Sequence, residues 1–183
     1  MTVDLLAIAA HRDDVELTCA GTLIRAVDQG QKVGILDLTQ GETGTRGSAA
    51  LRAEEAQKAA ALMGVTERRN AGLAKYDAPG IPHRPHKILY ALAYREDSVK
   101  PSFVVDISAQ MERKMAAIRC YSSQFDGAKN AGEIFPTGQD LYSLVETQNA
   151  HYGSLIRTRF GEPYFTHETM RVDDVVGLEV QSM

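Results

Sequence analysis

The sequence predicts an α/β protein, with a Rossmann-like three-layer α/β/α fold and a mainly parallel sheet. Two apolar runs, residues 3–10 and 32–38, lack helical periodicity and are typical of buried parallel strands. Each run precedes a stretch with helical character, residues 13–29 and 49–63, and this alternation is typical of right-handed units with parallel strands. The chain has 183 residues, 44% of them hydrophobic, which suffices for one core, so we expect a single domain over residues 1–183.

Local signals mark the ends of the first elements. The first strand ends at His11, and either Asp13 or Asp14 can cap the helix that follows it. A glycine-rich loop, residues 39–48, follows the second strand. Ser48 at the end of that loop can cap the second helix, which is rich in alanine and glutamate.

The second half of the chain departs from this rhythm. A proline-rich segment, residues 71–85, interrupts it, and only two parallel strands precede that segment, which is few for a doubly wound domain. Beyond it the pattern predicts two strands, Lys87–Ala93 and Ser102–Ile107, and two helices, Ser108–Tyr121 and Asp140–Thr158. The tail, Phe160–Met183, is expected to be irregular with some strand character near Val172–Val180.

Charge and cysteine content argue against several classes of partner. The 20 basic and 24 acidic residues give a net charge of −4, without the basic surface that binding to nucleic acid or a membrane requires, so we expect a small-molecule substrate. The two cysteines, Cys19 and Cys120, do not make a disulfide framework. Because the sequence shows no signal-peptide pattern and no apolar run of membrane-spanning length, we expect a cytoplasmic protein.

The chemically informative residues are His11-Arg12-Asp13-Asp14, directly after the first strand. Ligands of open α/β sheets bind at the carboxyl ends of the strands, where this motif lies. Imidazole and carboxylate groups are good ligands for Zn²⁺, and a chain turning into a helix can aim His11 and Asp14 at one ion. Asp13 would then point elsewhere and be free to take a proton from a water molecule. The alternative is structural, with both carboxylates capping the helix and His11 filling a polar niche.

A larger set of residues resembles a known family. Ala10-His11-Arg12-Asp13-Asp14-Val15-Glu16, followed by Gly21-Thr22-Leu23, is similar to the opening of the LmbE/PIG-L deacetylases, whose motif is A-H-P-D-D with a variable position after the histidine. Further similarities follow in order along the chain: residues 34–39 with Gly41-Glu42, Arg52 with Glu54-Glu55-Ala56, residues 121–125 (YSSQF) and residues 160–163 (FGEP). The last two resemble the branch that deacetylates N-acetylglucosaminyl-malate in bacillithiol biosynthesis.

The resemblance implies an LmbE-like fold and a zinc-dependent amide hydrolase that acts on an N-acetylglucosaminyl conjugate. It implies that His11 and Asp14 bind Zn²⁺ and that Asp13 is the general base. Arg52 matches a family arginine that contacts the substrate; the alternative is a solvated arginine in the first turn of a helix. Tyr142 lies within one position of a family tyrosine that binds the tetrahedral oxyanion; the alternative is an ordinary half-buried tyrosine. We also expect a homo-oligomer.

The family's second motif, H-x-D-H, which supplies the third zinc ligand, is not found in this sequence. It should lie near residues 70–74, so we infer an internal deletion there, on the order of one or two βα units of roughly 30 residues. His83 and His86 have H-x-x-H spacing, but Pro85 before a strand argues against either as a substitute. Either the sequence omits part of the natural chain, or the protein is an internally deleted variant. With two ligands we expect poor metal retention and little activity.

Two other functions stay open. Residues 41–47 follow a strand and precede a helix, as the loop of a phosphate- or nucleotide-binding domain would. They match neither common glycine-rich phosphate motif, and Glu42 would repel a phosphate. The other possibility is a catalytically impaired remnant that keeps the fold of the family.

Overall fold

The computed structural model describes residues 2–40, 48–70, 85–92, 99–125 and 140–180. Six strands and six helices lie within these ranges. In chain order they are β1 (Leu5–Ala9), α1 (Asp14–Thr18), α2 (Ala20–Asp28), β2 (Val33–Asp37), α3 (Ala49–Met63), β3 (Glu67–Asn70), β4 (Tyr90–Ala91), β5 (Phe103–Asp106), α4 (Met111–Arg119), α5 (Ser122–Phe125), α6 (Leu141–Leu155) and β6 (Gly161–Phe165).

The first sheet is parallel, as the sequence predicts. Its strand order is β1-β2-β3, with Ala7 opposite Ile35 and Ile35 opposite Arg68. Apolar side chains of α2 and α3 pack on it and form a core that includes Ile24, Ile35 and Met63. The predicted α/β fold class with a parallel sheet is therefore confirmed, and the carboxyl ends of three parallel strands lie side by side.

Strand β3 was not predicted, because its sequence, Glu-Arg-Arg-Asn, carries no apolar signal. It exists because β2 supplies a parallel partner and because Arg68 is neutralised inside the fold. The Arg68 side chain is only 3% exposed, beside the carboxylates of Glu16 and Asp37. A charged strand of this kind depends on tertiary partners rather than on local propensity.

The second sheet is antiparallel and has the order β4-β6-β5. Its central strand β6 lies where the sequence predicted an irregular chain, and the strand character expected at Val172–Val180 is wrong, since those residues are exposed and form no strand. The sequence of β6, Gly-Glu-Pro-Tyr-Phe, is unfavourable for a strand. It is held by partners on both sides: the Leu92 amide donates to the Pro163 carbonyl, and the Ser102 amide donates to the Tyr164 carbonyl.

The helix predicted over residues 13–29 is broken in two at Cys19, which has φ −137° and ψ 11°. The break is stabilised from a distance by Glu162 of β6. Its carboxylate accepts hydrogen bonds from the amides of Gly21 (2.9 Å) and Thr22 (2.7 Å), the first free amides of α2. A capping residue that lies 140 positions along the chain leaves no local signal in the sequence.

Several predicted boundaries hold and others shift. Ser48 caps α3, where its hydroxyl accepts from the Leu51 amide, and Asp140 caps α6. Helix α6 ends at Leu155, three residues before the predicted end. Helix α4 begins at Met111 rather than Ser108, because the Ser108 hydroxyl and amide bind the Asp106 carboxylate instead of capping a helix.

The two predicted strands before α4 are present but shorter than expected. Within the described residues the first covers Tyr90–Ala91 and the second Phe103–Asp106. Both cysteines are free thiols. Among the residues that the structure describes, no helix has the length and apolar character needed to cross a lipid bilayer.

Candidate active site

The motif that the sequence singles out lies at the carboxyl end of β1. Neighbouring strand ends are tied together there, since both the amide and the hydroxyl of Thr39 donate to the Ala10 carbonyl. The Asn70 side-chain amide, at the end of β3, donates to the Thr39 carbonyl at 2.6 Å. The turn that carries His11 to Asp14 therefore starts from a fixed edge of the sheet.

His11 and Asp14 lie next to each other at the surface. Asp14 Oδ2 accepts the His11 amide proton at 2.9 Å and lies 3.3 Å from His11 Nδ1. Their side chains are 53% and 40% exposed, so both donor groups remain accessible to a solute. The proposed capping role fits neither carboxylate fully: Asp13 makes no capping hydrogen bond, and Asp14 folds back onto His11. The two side chains therefore lie side by side, and their role as ligands of one cation stays a prediction.

Asp13 is half-buried beside this pair. Burial raises the pKa of Asp13 most, and the adjacent Asp14 carboxylate raises it further. The nearby charges of Arg52 and His11 lower it. A carboxylate with a raised pKa is a stronger base than an ordinary aspartate, and it suits proton abstraction better. The electrostatic influence of Arg52 also places α3 within range of the motif.

Arg52 is hydrogen-bonded to Gln124, a residue to which the sequence analysis assigned no role. One Arg52 guanidinium nitrogen donates to the Gln124 side-chain oxygen, while the buried Arg52 Nε has no hydrogen-bond partner among the residues that the structure describes. Gln124 in turn donates to the Ser123 hydroxyl at 2.9 Å. Glu55, three residues after Arg52, accepts from the Ser123 amide (2.8 Å) and hydroxyl (2.6 Å). Two turns of α3 thus hold the short helix α5 against the site.

Tyr142 is the second residue of α6, where it packs at the edge of a second buried apolar cluster that includes Ile107, Ile118 and Val145. The Arg119 guanidinium lies 5.3 Å from the centre of its ring. These surroundings fit an ordinary half-buried tyrosine as well as a substrate contact. Its role in oxyanion binding therefore stays a prediction.

The potential metal ligands at this site match the requirements of a zinc ion only in part. His11 and Asp14 supply two neighbouring ligands of the types that zinc prefers. In the described ranges no group of three His, Cys, Asp or Glu residues is arranged to hold a metal. Three other histidines in those ranges, His86, His151 and His167, are exposed. His83 and the predicted deletion at residues 71–74 lie outside the described residues, as does the glycine-rich loop 41–47.

A buried polar cluster lies beneath the motif. Arg68 donates to both carboxylate oxygens of Asp37 (2.8 and 2.9 Å) and to Glu16 Oε1 (2.5 Å). Tyr121, 1% exposed, has its hydroxyl 3.0 Å from the same Glu16 oxygen. Burial raises the pKa of Glu16 to about 7, against the opposing charge of Arg68. Sequence reasoning missed Arg68, because a lone charged strand residue gives no sign of where its side chain lies.

Comparison with known proteins gives a consistent result. A family model described as PIG-L, GlcNAc-PI de-N-acetylase, matches residues 6–113, which is more than half of the chain. The conserved protein TT1542 from Thermus thermophilus is 25% identical, with a TM-score of 0.77 over 94% of this chain and 98% of that one.

Two further solved structures share the fold at lower identity. One is an N,N′-diacetylchitobiose deacetylase from Pyrococcus horikoshii, 22% identical, with a TM-score of 0.66 over 87% of this chain and 82% of that one. The other is a 4-carboxy-2-hydroxymuconate hydratase from Pseudomonas putida, 14% identical, with a TM-score of 0.67 over 96% of this chain and all of that one. The fold alone therefore accommodates more than one reaction, and an activity has to be inferred from the site.

Proposed function

The chain belongs to the PIG-L family of metal-dependent de-N-acetylases, which are amide hydrolases, and we propose that it removes the acetyl group of an N-acetylglucosaminyl conjugate. The specific substrate we propose is N-acetylglucosaminyl-malate, in bacillithiol biosynthesis. The observation that carries the proposal is the arrangement at the end of β1. There a histidine and an aspartate with exposed side chains lie next to each other, beside an aspartate whose pKa is raised by burial.

The chain's own residues have distinct roles in the proposed reaction. Asp13 accepts a proton from the attacking water, whose oxygen bonds to the acetamide carbonyl carbon. The C–N bond then breaks, the nitrogen takes up a proton, and acetate and a glucosamine product leave. Arg52, half-buried beside Gln124, is proposed to bind polar groups of the substrate. Tyr142 is proposed to contact the oxyanion.

We propose Zn²⁺ as the metal, with His11 and Asp14 as its ligands in this chain. When bound, such an ion supplies Lewis-acid polarisation of the substrate carbonyl and of a water molecule. Because two protein ligands hold zinc more weakly than the usual three of catalytic sites, we expect the 183-residue chain to retain it poorly.

We also propose that an internal block is missing near residues 70–74. The outer face of β1 supports this: Leu6 is 48% and Ile8 60% exposed, although parallel strands are normally covered on both faces. A further βα unit after β3 would lie on that sheet and could cover this face. The cytoplasmic location and the homo-oligomeric state remain predictions.

The proposal is tested by measuring acetate release from N-acetylglucosaminyl-malate, with N-acetylglucosamine as the comparison substrate and excess Zn²⁺ present. We expect slow, zinc-dependent release from the wild-type chain and none from Asp13→Asn, which still binds zinc. Loss of zinc from Asp13→Asn would mean that the two aspartates have exchanged roles. No release by the wild-type chain at saturating zinc would favour the catalytically impaired remnant.

A further inference from the structure

The carbonyl oxygen of Arg12 lies at the centre of the motif, in the peptide that joins Arg12 to Asp13. It accepts hydrogen bonds from two buried donors, the Arg68 guanidinium and the Tyr121 hydroxyl. A carbonyl oxygen has two lone pairs, so both of its acceptor positions are used. The two donors come from different parts of the fold, β3 and the segment between α4 and α5. They fix the plane of the peptide directly before Asp13.

The planar guanidinium of Arg68 also donates hydrogen bonds to groups other than the Arg12 carbonyl. It binds both oxygens of Asp37 and one oxygen of Glu16, and its side chain is 3% exposed. Together with a 3.5 Å bond from Nη1 to the Ala56 carbonyl, these contacts leave the guanidinium a single orientation, in which Nη2 also donates to the Arg12 carbonyl. A lysine has one nitrogen and cannot reproduce this set of bonds.

The motif turn is also held from its outer side. Arg12 Nη1 donates to the Ala49 carbonyl, at the start of α3, at 2.8 Å. The main chain of Arg12 is therefore anchored to the buried cluster, while its side chain is anchored to the helix that carries Arg52. The neighbouring His11 and Asp14 side chains are half exposed and lie 3.3 Å apart.

We propose that Arg68 and Tyr121 are positioning residues, which hold the Arg12 carbonyl so that His11 and Asp14 are presented to one metal ion with Asp13 beside them. Buried charge clusters contribute little net stability compared with apolar packing, so a role in fixing a specific conformation accounts for this one better. Removal of groups that orient metal ligands without binding the metal themselves commonly lowers the metal affinity about 10- to 100-fold. The metal-binding part of this inference rests on the proposed function.

The test compares Tyr121→Phe and Arg68→Lys with the wild-type chain and with the control Tyr164→Phe. Tyr164 is an equally buried tyrosine of β6, stacked on Phe103 with ring centres 5.3 Å apart. The first measurement is amide hydrogen exchange of the full, metal-free chain. We expect exchange over residues 9–17 to be about tenfold faster in both test variants, as loss of one well-made hydrogen bond implies. Exchange over residues 141–155 should match the wild type.

The second measurement is the dissociation constant for Zn²⁺, determined in competition with a chromophoric chelator. We expect both test variants to bind zinc about tenfold or more weakly, and Tyr164→Phe to bind like the wild type. The Tyr121→Phe variant keeps the proposal testable if Arg68→Lys does not fold, because it removes a single hydroxyl.

The outcomes separate the two proposals. Unchanged exchange over residues 9–17 in Tyr121→Phe overturns the positioning role. Faster exchange with unchanged zinc affinity also overturns it, because the turn would then move without consequence for the metal pair. If the wild-type chain binds no zinc at all, the proposed function fails. The difference in amide hydrogen exchange over residues 9–17 between the wild type and the two test variants then still decides whether Arg68 and Tyr121 fix the turn.

Discussion

Lys114 Nζ lies 2.7 Å from Glu162 Oε1, and both side chains are completely buried. Glu162 also accepts hydrogen bonds from the Gly21 amide and from the amide and hydroxyl of Thr22. One carboxylate thus joins β6 of the antiparallel sheet to α4 and to the start of α2, which packs on the parallel sheet. This link fixes the start of α2, the second helix after the motif, although Lys114 and Glu162 lie outside the candidate site.

The first prediction concerns this link. Lys114→Met leaves the Glu162 carboxylate buried without its cation, so we expect the free energy of unfolding to fall by about 3–5 kcal/mol. Urea unfolding of the metal-free chain measures the change.

Its matched control is the neighbouring Arg113→Met. Arg113 pairs with Asp28 at 2.6 Å, but about two-fifths of each side chain is exposed. Pairs of that kind contribute less than about 1 kcal/mol. Equal losses in the two variants would contradict the special role of the Lys114–Glu162 pair.

The second prediction is a pH dependence that arises from Asp28. Hydrogen bonds from Arg113, and then from Gln110, lower the pKa of Asp28 below its ordinary value of 3.8. The folded state therefore binds a proton less readily than the unfolded state. The stability that Asp28 provides is complete above pH 3.8 and is lost as the pH falls through the folded-state pKa.

The measurement is urea unfolding of wild type and Asp28→Asn between about pH 7 and about pH 2, a range that spans the ordinary aspartate pKa. We expect a difference in unfolding free energy of less than about 1 kcal/mol at neutral pH, because the pair is exposed to solvent. That difference should shrink towards zero at the acid end. A difference that grew on acidification would refute the assignment.

The third prediction concerns metal retention. We expect the purified chain to contain well below one zinc per subunit after dialysis, because the proposed site has only His11 and Asp14 as ligands among the described residues. Elemental analysis measures it, and near-stoichiometric zinc would show that a further ligand exists. His11→Ala should reduce zinc binding further, whereas His151→Ala, a change at an exposed histidine of α6, should not.

The fourth prediction concerns substrate binding by Arg52. Arg52→Lys keeps the charge but loses the planar group that donates to Gln124. We expect binding of N-acetylglucosaminyl-malate to weaken about tenfold, in line with the loss of one hydrogen bond to a charged group. Calorimetric titration measures the dissociation constant, and Arg113→Lys on α4 serves as the control. Equal affinities of the two variants for the substrate would show that Arg52 has a structural role and no role in substrate binding.

The sequence by itself determined the first part of the fold and the ligand pair. Apolar runs defined β1 and β2, and Ser48 correctly marked the start of α3. The adjacency of His11 and Asp14 follows from a spacing of three residues in a tight turn, which is a local property. Local patterns of this kind survive folding because their partners are near in the chain.

Only the tertiary structure decided the remainder. Strand β3, the break at Cys19 and strand β6 all depend on partners far along the chain, such as Glu162 and Arg68. The raised pKa of Asp13 arises mainly from burial, and the two donors to the Arg12 carbonyl lie 56 and 109 residues away from it. The sequence therefore predicted the candidate ligands, whereas the environment of the motif depends on distant buried groups, because long-range burial and charge pairing have no local signature.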